Sequence, residues 1–200
     1  MITIIDYGAG NLFSVQNALN YLGIENTVSK EAKDIEKADS LILPGVGAFP
    51  KAMKMLESTG LISVIKENIE KKPLLGICLG MQMLFEESEE FETTKGLGFI
   101  EGKIDKIVCP YKIPHMGWNS LEITQNSPLL KGVNEGESVY FVHSFMAYTD
   151  KENISAQCDY GIKVPALVER NNVFGAQFHP EKSGETGLQI LKNFYKLTRD

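Results

Sequence analysis

The chain is predicted to be an α/β protein: a doubly wound, mostly parallel sheet flanked by helices, with an antiparallel β extension. Three observations carry that expectation. Short apolar runs at residues 2–5, 41–43 and 74–77 alternate with amphipathic stretches through the first half, and strands buried on both faces read as continuous apolar runs. The second half changes character, with strand-like runs following one another across turn residues. Finally, 200 residues with 43% hydrophobic and 23% charged content suit one globular domain with a substantial core, so residues 1–200 are read as a single domain.

The elements follow in order. Ile2-Thr3-Ile4-Ile5 opens as a strand and turns at Asp6-Tyr7-Gly8-Ala9-Gly10. A helix is expected over residues 11–22, where Leu12, Val15, Leu19 and Leu22 share a face at helical spacing. Residues 26–29 and 41–43 are the next strands, the latter closed by Pro44-Gly45-Val46-Gly47. Helices are expected over 51–57 and 61–71, punctuated by Gly60. Residues 74–77 form a further strand leading into Cys78 and a helix to about residue 87. Strands are then expected over 98–108, 139–143, 154–158, 165–169 and 173–178. A closing helix over 185–197 carries the apolar stripe Leu188, Leu191, Phe194 and Tyr195. No repeat, low-complexity tract or long linker interrupts the chain.

Composition narrows the function classes. A net charge of −6 without a Lys/Arg cluster argues against nucleic acid as a partner. No apolar run approaches the roughly 20 residues that span a bilayer, and the first residues lack the pattern of a signal peptide. Cys78, Cys109 and Cys158 are odd in number and irregularly spaced, which suits reduced thiols in a cytoplasm. No Cys or His pair has metal-ligand spacing. Cys109 and Cys158 lack flanking glycines or a nearby base and read as structural.

Cys78 is different. In Leu74-Leu75-Gly76-Ile77-Cys78-Leu79-Gly80-Met81-Gln82 it sits between glycines at i−2 and i+2 where a strand meets a helix. That is the form of a nucleophile elbow with sulfur in place of oxygen, and the first N–H groups of the helix favour a thiolate. A buried structural cysteine fits the same run, so the reading needs partners. A base must take the thiol proton and a third group must orient that base. Of three histidines, His179 stands in Phe178-His179-Pro180-Glu181, with a carboxylate two residues on. An extended backbone through Pro180 would put His179 and Glu181 on one side. His115 lies in a loop-like segment and His143 at a strand end where packing is expected, neither with an acid close in sequence. Donors for an oxyanion are expected from the N–H of Leu79 and from the Val46 and Gly47 loop. The Glu86-Glu87-Ser88-Glu89-Glu90 run reads as a mostly solvated helix end, electrostatically unfavourable at a C-terminus.

Together, Gly76-Ile77-Cys78-Leu79-Gly80-Met81-Gln82 and Phe178-His179-Pro180-Glu181 resemble the class I (triad) glutamine amidotransferases. Asp6-Tyr7-Gly8-Ala9-Gly10-Asn11-Leu12, Pro114-His115-Met116-Gly117-Trp118-Asn119 and Tyr140-Phe141-Val142-His143-Ser144 narrow the likeness to the glutaminase subunits of imidazole glycerol phosphate synthases. The resemblance implies Cys78 as nucleophile, His179 as proton shuttle and Glu181 as its orienting acid. It implies Gly47, Gln82, Glu90, Ser144 and Phe145 around glutamine, and no metal or organic cofactor. Ammonia would pass to a separate (β/α)₈ cyclase subunit in a heterodimer, with Met116, Trp118, Tyr140 and Lys182 at or near the contact. It would there serve imidazole glycerol phosphate formation in histidine biosynthesis, with the Pro44-Gly45-Val46-Gly47 loop mis-set until the liganded partner binds. The glutamine site does not by itself fix the acceptor, so a paralogous synthase, such as one in a surface polysaccharide pathway, shares these motifs. A non-catalytic subunit would not need the intact Cys78, His179 and Glu181.

Overall fold

All four residues of β1 (Ile2–Ile5) are buried, and its two faces meet different cores. Ile2 and Ile4 pack with Val15 and Leu19, whereas Ile5 packs with Leu41 and Leu43. This alternation is that of a strand covered by helices on both sides. The computed structural model describes residues 1–198.

After β1 come α1 (Leu12–Tyr21), β2 (Asn26–Ser29), α2 (Ala32–Lys37), β3 (Ser40–Gly45), α3 (Phe49–Ser58), α4 (Leu61–Ile69), β4 (Leu74–Cys78) and α5 (Leu79–Gln82). Asn11 begins α1 by accepting a hydrogen bond from the Ser14 N–H, as an N-cap should. The second half contributes β5 (Glu87–Ser88), β6 (Thr94–Lys95), β7 (Lys103–Lys106), β8 (His115–Ser120), β9 (Glu122–Ile123), β10 (Ser138–His143) and β11 (Phe145–Tyr148). It ends with β12 (Ile154–Asp159), β13 (Lys163–Arg170), β14 (Val173–Ala176) and α6 (Gly184–Lys196).

The main sheet has the order β2-β1-β3-β4-β14-β13-β12-β9. Pairings from β2 through β14 are parallel, and those of β13, β12 and β9 are antiparallel. The expected doubly wound sheet with an antiparallel extension is therefore present. A two-stranded ribbon, β10-β8, and a four-stranded sheet, β11-β7-β5-β6, stand apart from it. In open α/β sheets, ligands gather outside the carboxyl ends of the parallel strands, and here β3, β4 and β14 end side by side.

Several expected elements differ. The helix after Cys78 stops at Gln82 instead of reaching residue 87. A helix to residue 87 would need the Glu86 N–H on the Gln82 carbonyl and the Glu87 N–H on that of Met83, but Glu86 donates to the Gly102 carbonyl and the Met83 carbonyl accepts from Leu97. The same capture shortens the expected strand over 98–108 to β7. The Glu86-to-Glu90 run is thus no helix end: Glu87–Ser88 is β5, and Glu90 is buried. His115 lies in a strand rather than a loop, because β8 pairs residue for residue with β10, His143 opposite His115. Helix α2 has no counterpart among the expected elements, and β3 runs on through Pro44 and Gly45 to pair with Ile77 and Cys78.

Candidate active site

Cys78 is both the last residue of β4 and the residue that starts α5, with φ 55° and ψ −112°. Such a backbone is strained for a residue with a side chain and concentrates at functional positions. Its neighbours leave no room for theirs. A Cβ on Gly80 would lie 1.8 Å from the Leu43 carbonyl oxygen, and one on Gly76 would lie 2.7 Å from Met81. The turn between them can therefore be built only with glycine at both places.

His179 follows β14 and is buried, with Nδ1 2.8 Å from Oε1 of Glu181. The Glu181 side chain is itself buried. The expected extended path through Pro180 does not occur: residues 180–182 form a 3₁₀ turn. The Ser183 hydroxyl donates to the His179 carbonyl at 2.6 Å, and the Lys182 N–H bonds the same oxygen at 3.0 Å, curling the chain. The carboxylate reaches the imidazole by that curl. Cys78 and His179 line the same cavity, with the sulfur near enough to act on the charge of the imidazole. Burial alone would lower the His179 pKa from 6.5, but the hydrogen bonds and negative charges of Cys78 and Glu181 together raise it to about 9. The His179 backbone hangs on the ribbon, since its N–H donates to the Tyr140 carbonyl and the Tyr140 N–H to the Ser183 hydroxyl.

Above the thiol is a cavity of about 540 Å³. Its lining includes Val46, Gly47, Cys78, Leu79, Gln82, Glu90, Ser144, Phe145 and His179. Leu79 opens α5, so its N–H belongs to a helical first turn that lacks intrahelical acceptors. Gln82 donates through Nε2 to the Phe145 carbonyl at 3.1 Å and to Gln177 Oε1 at 3.0 Å. Glu90 accepts from the Phe49 N–H at 2.7 Å, tying the segment after Gly47 to the cavity wall.

Met116, Trp118 and Tyr140 alternate outward along the ribbon, where the Trp118 and Tyr140 rings meet edge to face at 6.0 Å. Val142, opposite Met116, lines the cavity, so the ribbon's outer face borders its mouth. Lys182 is exposed beside the 3₁₀ turn.

Residues given no role at the site by the sequence also reach it. His143 lines the cavity while donating from Nδ1 toward the Phe145 carbonyl at 2.8 Å, and burial drives its pKa down to about 3. Phe91, at φ 62° and 87% exposed, stands at the rim. Tyr7 is buried, its hydroxyl 3.6 Å from the Met83 sulfur, with its pKa raised by burial and by the negative charge of Cys78. The only sequence signal for these was their place inside or beside the quoted motif blocks.

A model of the class I glutamine amidotransferase family matches residues 3–197. An "imidazole glycerol phosphate synthase subunit HisH" from Bacillus cereus (strain G9842) is 55% identical over 97% of this chain and 93% of its own length. A protein of the same description from Bacillus cytotoxicus is 53% identical over the same shares. Among solved structures, a glutamine amidotransferase covers 100% of both chains with a TM-score of 0.79 at 19% identity. The PurLQS structure from Thermotoga maritima aligns over 98% of this chain and 97% of the matched one, with a TM-score of 0.74 at 20% identity. These last two speak for the fold alone, but the sequence matches go further: the chain belongs to the class I glutamine amidotransferases, and within them to the HisH subunits of imidazole glycerol phosphate synthase.

Proposed function

We propose that Cys78, His179 and Glu181 hydrolyse glutamine to glutamate and that the ammonia passes to a separate cyclase subunit. The chain is then the glutaminase of imidazole glycerol phosphate synthase and works in histidine biosynthesis in the cytoplasm. One observation carries the chemistry: a cysteine at φ 55° lines a cavity of about 540 Å³ together with an imidazole that a buried carboxylate holds at 2.8 Å.

The Cys78 sulfur attacks the carboxamide carbon of glutamine, and N–H groups of Leu79 and the Val46–Gly47 wall receive the oxyanion. His179 carries its proton to the departing nitrogen, which leaves as ammonia while a γ-glutamyl thioester remains on Cys78. Water then attacks the thioester, giving its proton to His179, and glutamate and the thiol are regenerated. Glu181 holds the ring so that one nitrogen always faces the sulfur. Gln82, Glu90, Ser144, Phe145 and Gly47 surround the amino acid.

Delivery in trans is supported by the ribbon. Its outer face exposes 60% of Met116 and 56% of Trp118 beside the cavity mouth, and exposed aromatic and methionine side chains of this kind favour a protein contact. With Tyr140 and Lys182 they form the surface proposed to receive a (β/α)₈ cyclase. Full-length relatives named as HisH favour this acceptor over a paralogous synthase. The test is co-purification with the cyclase, followed by glutamate release with and without cyclase ligand. Co-purification supports the docked partner and its failure would overturn it; release that rises with liganded cyclase supports a Pro44-Gly45-Val46-Gly47 loop mis-set until the partner binds, and equal rates would overturn that.

A further inference from the structure

Gln177 lies between β14 and His179, is fully buried and does not line the cavity. Its side chain nevertheless bonds a residue that does: Oε1 accepts from Gln82 Nε2 at 3.0 Å, whereas its own Nε2 has no hydrogen-bond partner among the described residues. An orphaned buried N–H₂ costs about 1–3 kcal/mol, and an apolar side chain of similar shape would avoid it. What Gln177 supplies and an apolar side chain cannot is the acceptor oxygen facing Gln82.

The direction of that hydrogen bond is fixed from the other side. The Phe145 carbonyl can only accept, so Gln82 must turn its nitrogen toward it. The same carbonyl is approached by His143 Nδ1 at 2.8 Å, and burial keeps His143 neutral. His143 therefore carries its one proton on Nδ1, and its Nε2 lies 3.0 Å from His115 Nδ1. Both protons of the Gln82 amide are committed, one to Phe145 and one to Gln177. Only its carbonyl oxygen is left to meet a molecule in the cavity.

Resting on the glutaminase reading above, we propose that Gln177 is a positioning residue. It holds the Gln82 carboxamide with its oxygen toward the substrate, where it accepts an N–H of glutamine. Without the Gln177 oxygen, one Gln82 proton loses its acceptor and the carboxamide is free to rotate. A site built to accept an N–H then loses discrimination in binding.

The experiment uses the full chain in complex with its liganded cyclase. Gln177→Met replaces the amide by an apolar side chain of similar length, and Gln177→Leu stands in if that variant does not reach a cooperative melt. Gln177→Glu restores an acceptor oxygen without the orphaned donor. Glutamate release is measured against glutamine concentration, and Cys78 alkylation by iodoacetamide reports the thiol independently of glutamine recognition. The expected result is a KM about tenfold higher in Gln177→Met, the size of one lost oriented hydrogen bond. Turnover and alkylation stay within about twofold of wild type, and Gln177→Glu returns KM toward it. A folded Gln177→Met or Gln177→Leu with unchanged KM overturns the proposal, as does a rise in KM that Gln177→Glu does not reverse. Wild-type complex that releases no glutamate would overturn the glutaminase reading itself, a result distinct from either.

Discussion

Two cysteines sit in the same apolar cluster and share almost nothing else. Cys78 ends a parallel strand at φ 55°, opens a helix and shares a cavity with His179. Cys158 lies within the antiparallel strand β12, opposite Val164, with no exposed surface. Burial, helped by the negative charges of Asp159 and Glu122, pushes its thiol up to about 12, although Lys163 opposes. Burial alone therefore does not make a thiol reactive. A positive φ lifts one sulfur to a cavity and a base, and an ordinary strand backbone buries the other among aliphatic groups.

The comparison breaks if the two thiols behave alike. Cys78→Ala is expected to reduce glutamate release by at least about 1000-fold, because no other group forms the thioester. Cys158→Ala, assayed in parallel, should stay within about twofold of wild type. Next in size is selectivity: iodoacetamide should alkylate Cys78 about 100-fold faster than Cys158, read by mass spectrometry of the two peptides. Comparable rates would show that the elbow confers no reactivity.

Glu181→Gln sharpens the contrast by weakening the base while sparing the sulfur. We expect a loss of about 10- to 100-fold in kcat/KM. In the wild type, the His179 pKa is raised to about 9, so the imidazolium proposed to protonate the departing nitrogen persists through neutrality. Activity should fall about tenfold per pH unit above that value. Glu181→Gln removes one source of the raise, and the alkaline limb should move to lower pH. Folding follows the same sign: the contribution of His179 is complete below its ordinary 6.5 and is lost as pH rises through about 9. The smallest effect belongs to Cys158→Ala, a loss of about 1–2 kcal/mol in stability from the sulfur-sized gap, measured by denaturant unfolding.

Much of the parallel half was legible because its strands are apolar on both faces and its helices keep a regular stripe. The elbow was legible because steric exclusion of every Cβ leaves glycine in the sequence. What escaped depends on pairings distant along the chain. The helix after Cys78 is shorter than its apolar pattern predicts because nothing local in residues 83–86 announces that Leu97 will bond the Met83 carbonyl and that Glu86 will donate to Gly102. Strand β8 was missed since Pro114 and Gly117 look like a loop until β10 supplies a register. The nearness of His179 and Glu181 was expected, but through an extended backbone; the 3₁₀ turn reaches the same contact by rotation instead. Glu90 meeting Phe49, 41 residues away, and Gln82 meeting Gln177, 95 away, had no sequence trace at all.

The ribbon of β8 and β10 has a period of two. His115, Phe141 and His143 point inward, while Met116, Trp118 and Tyr140 point outward. Neighbouring letters of the sequence thus answer to different constraints. Substitution can rewrite one set to suit a changing neighbour while the other set, a residue away, goes on serving the interior.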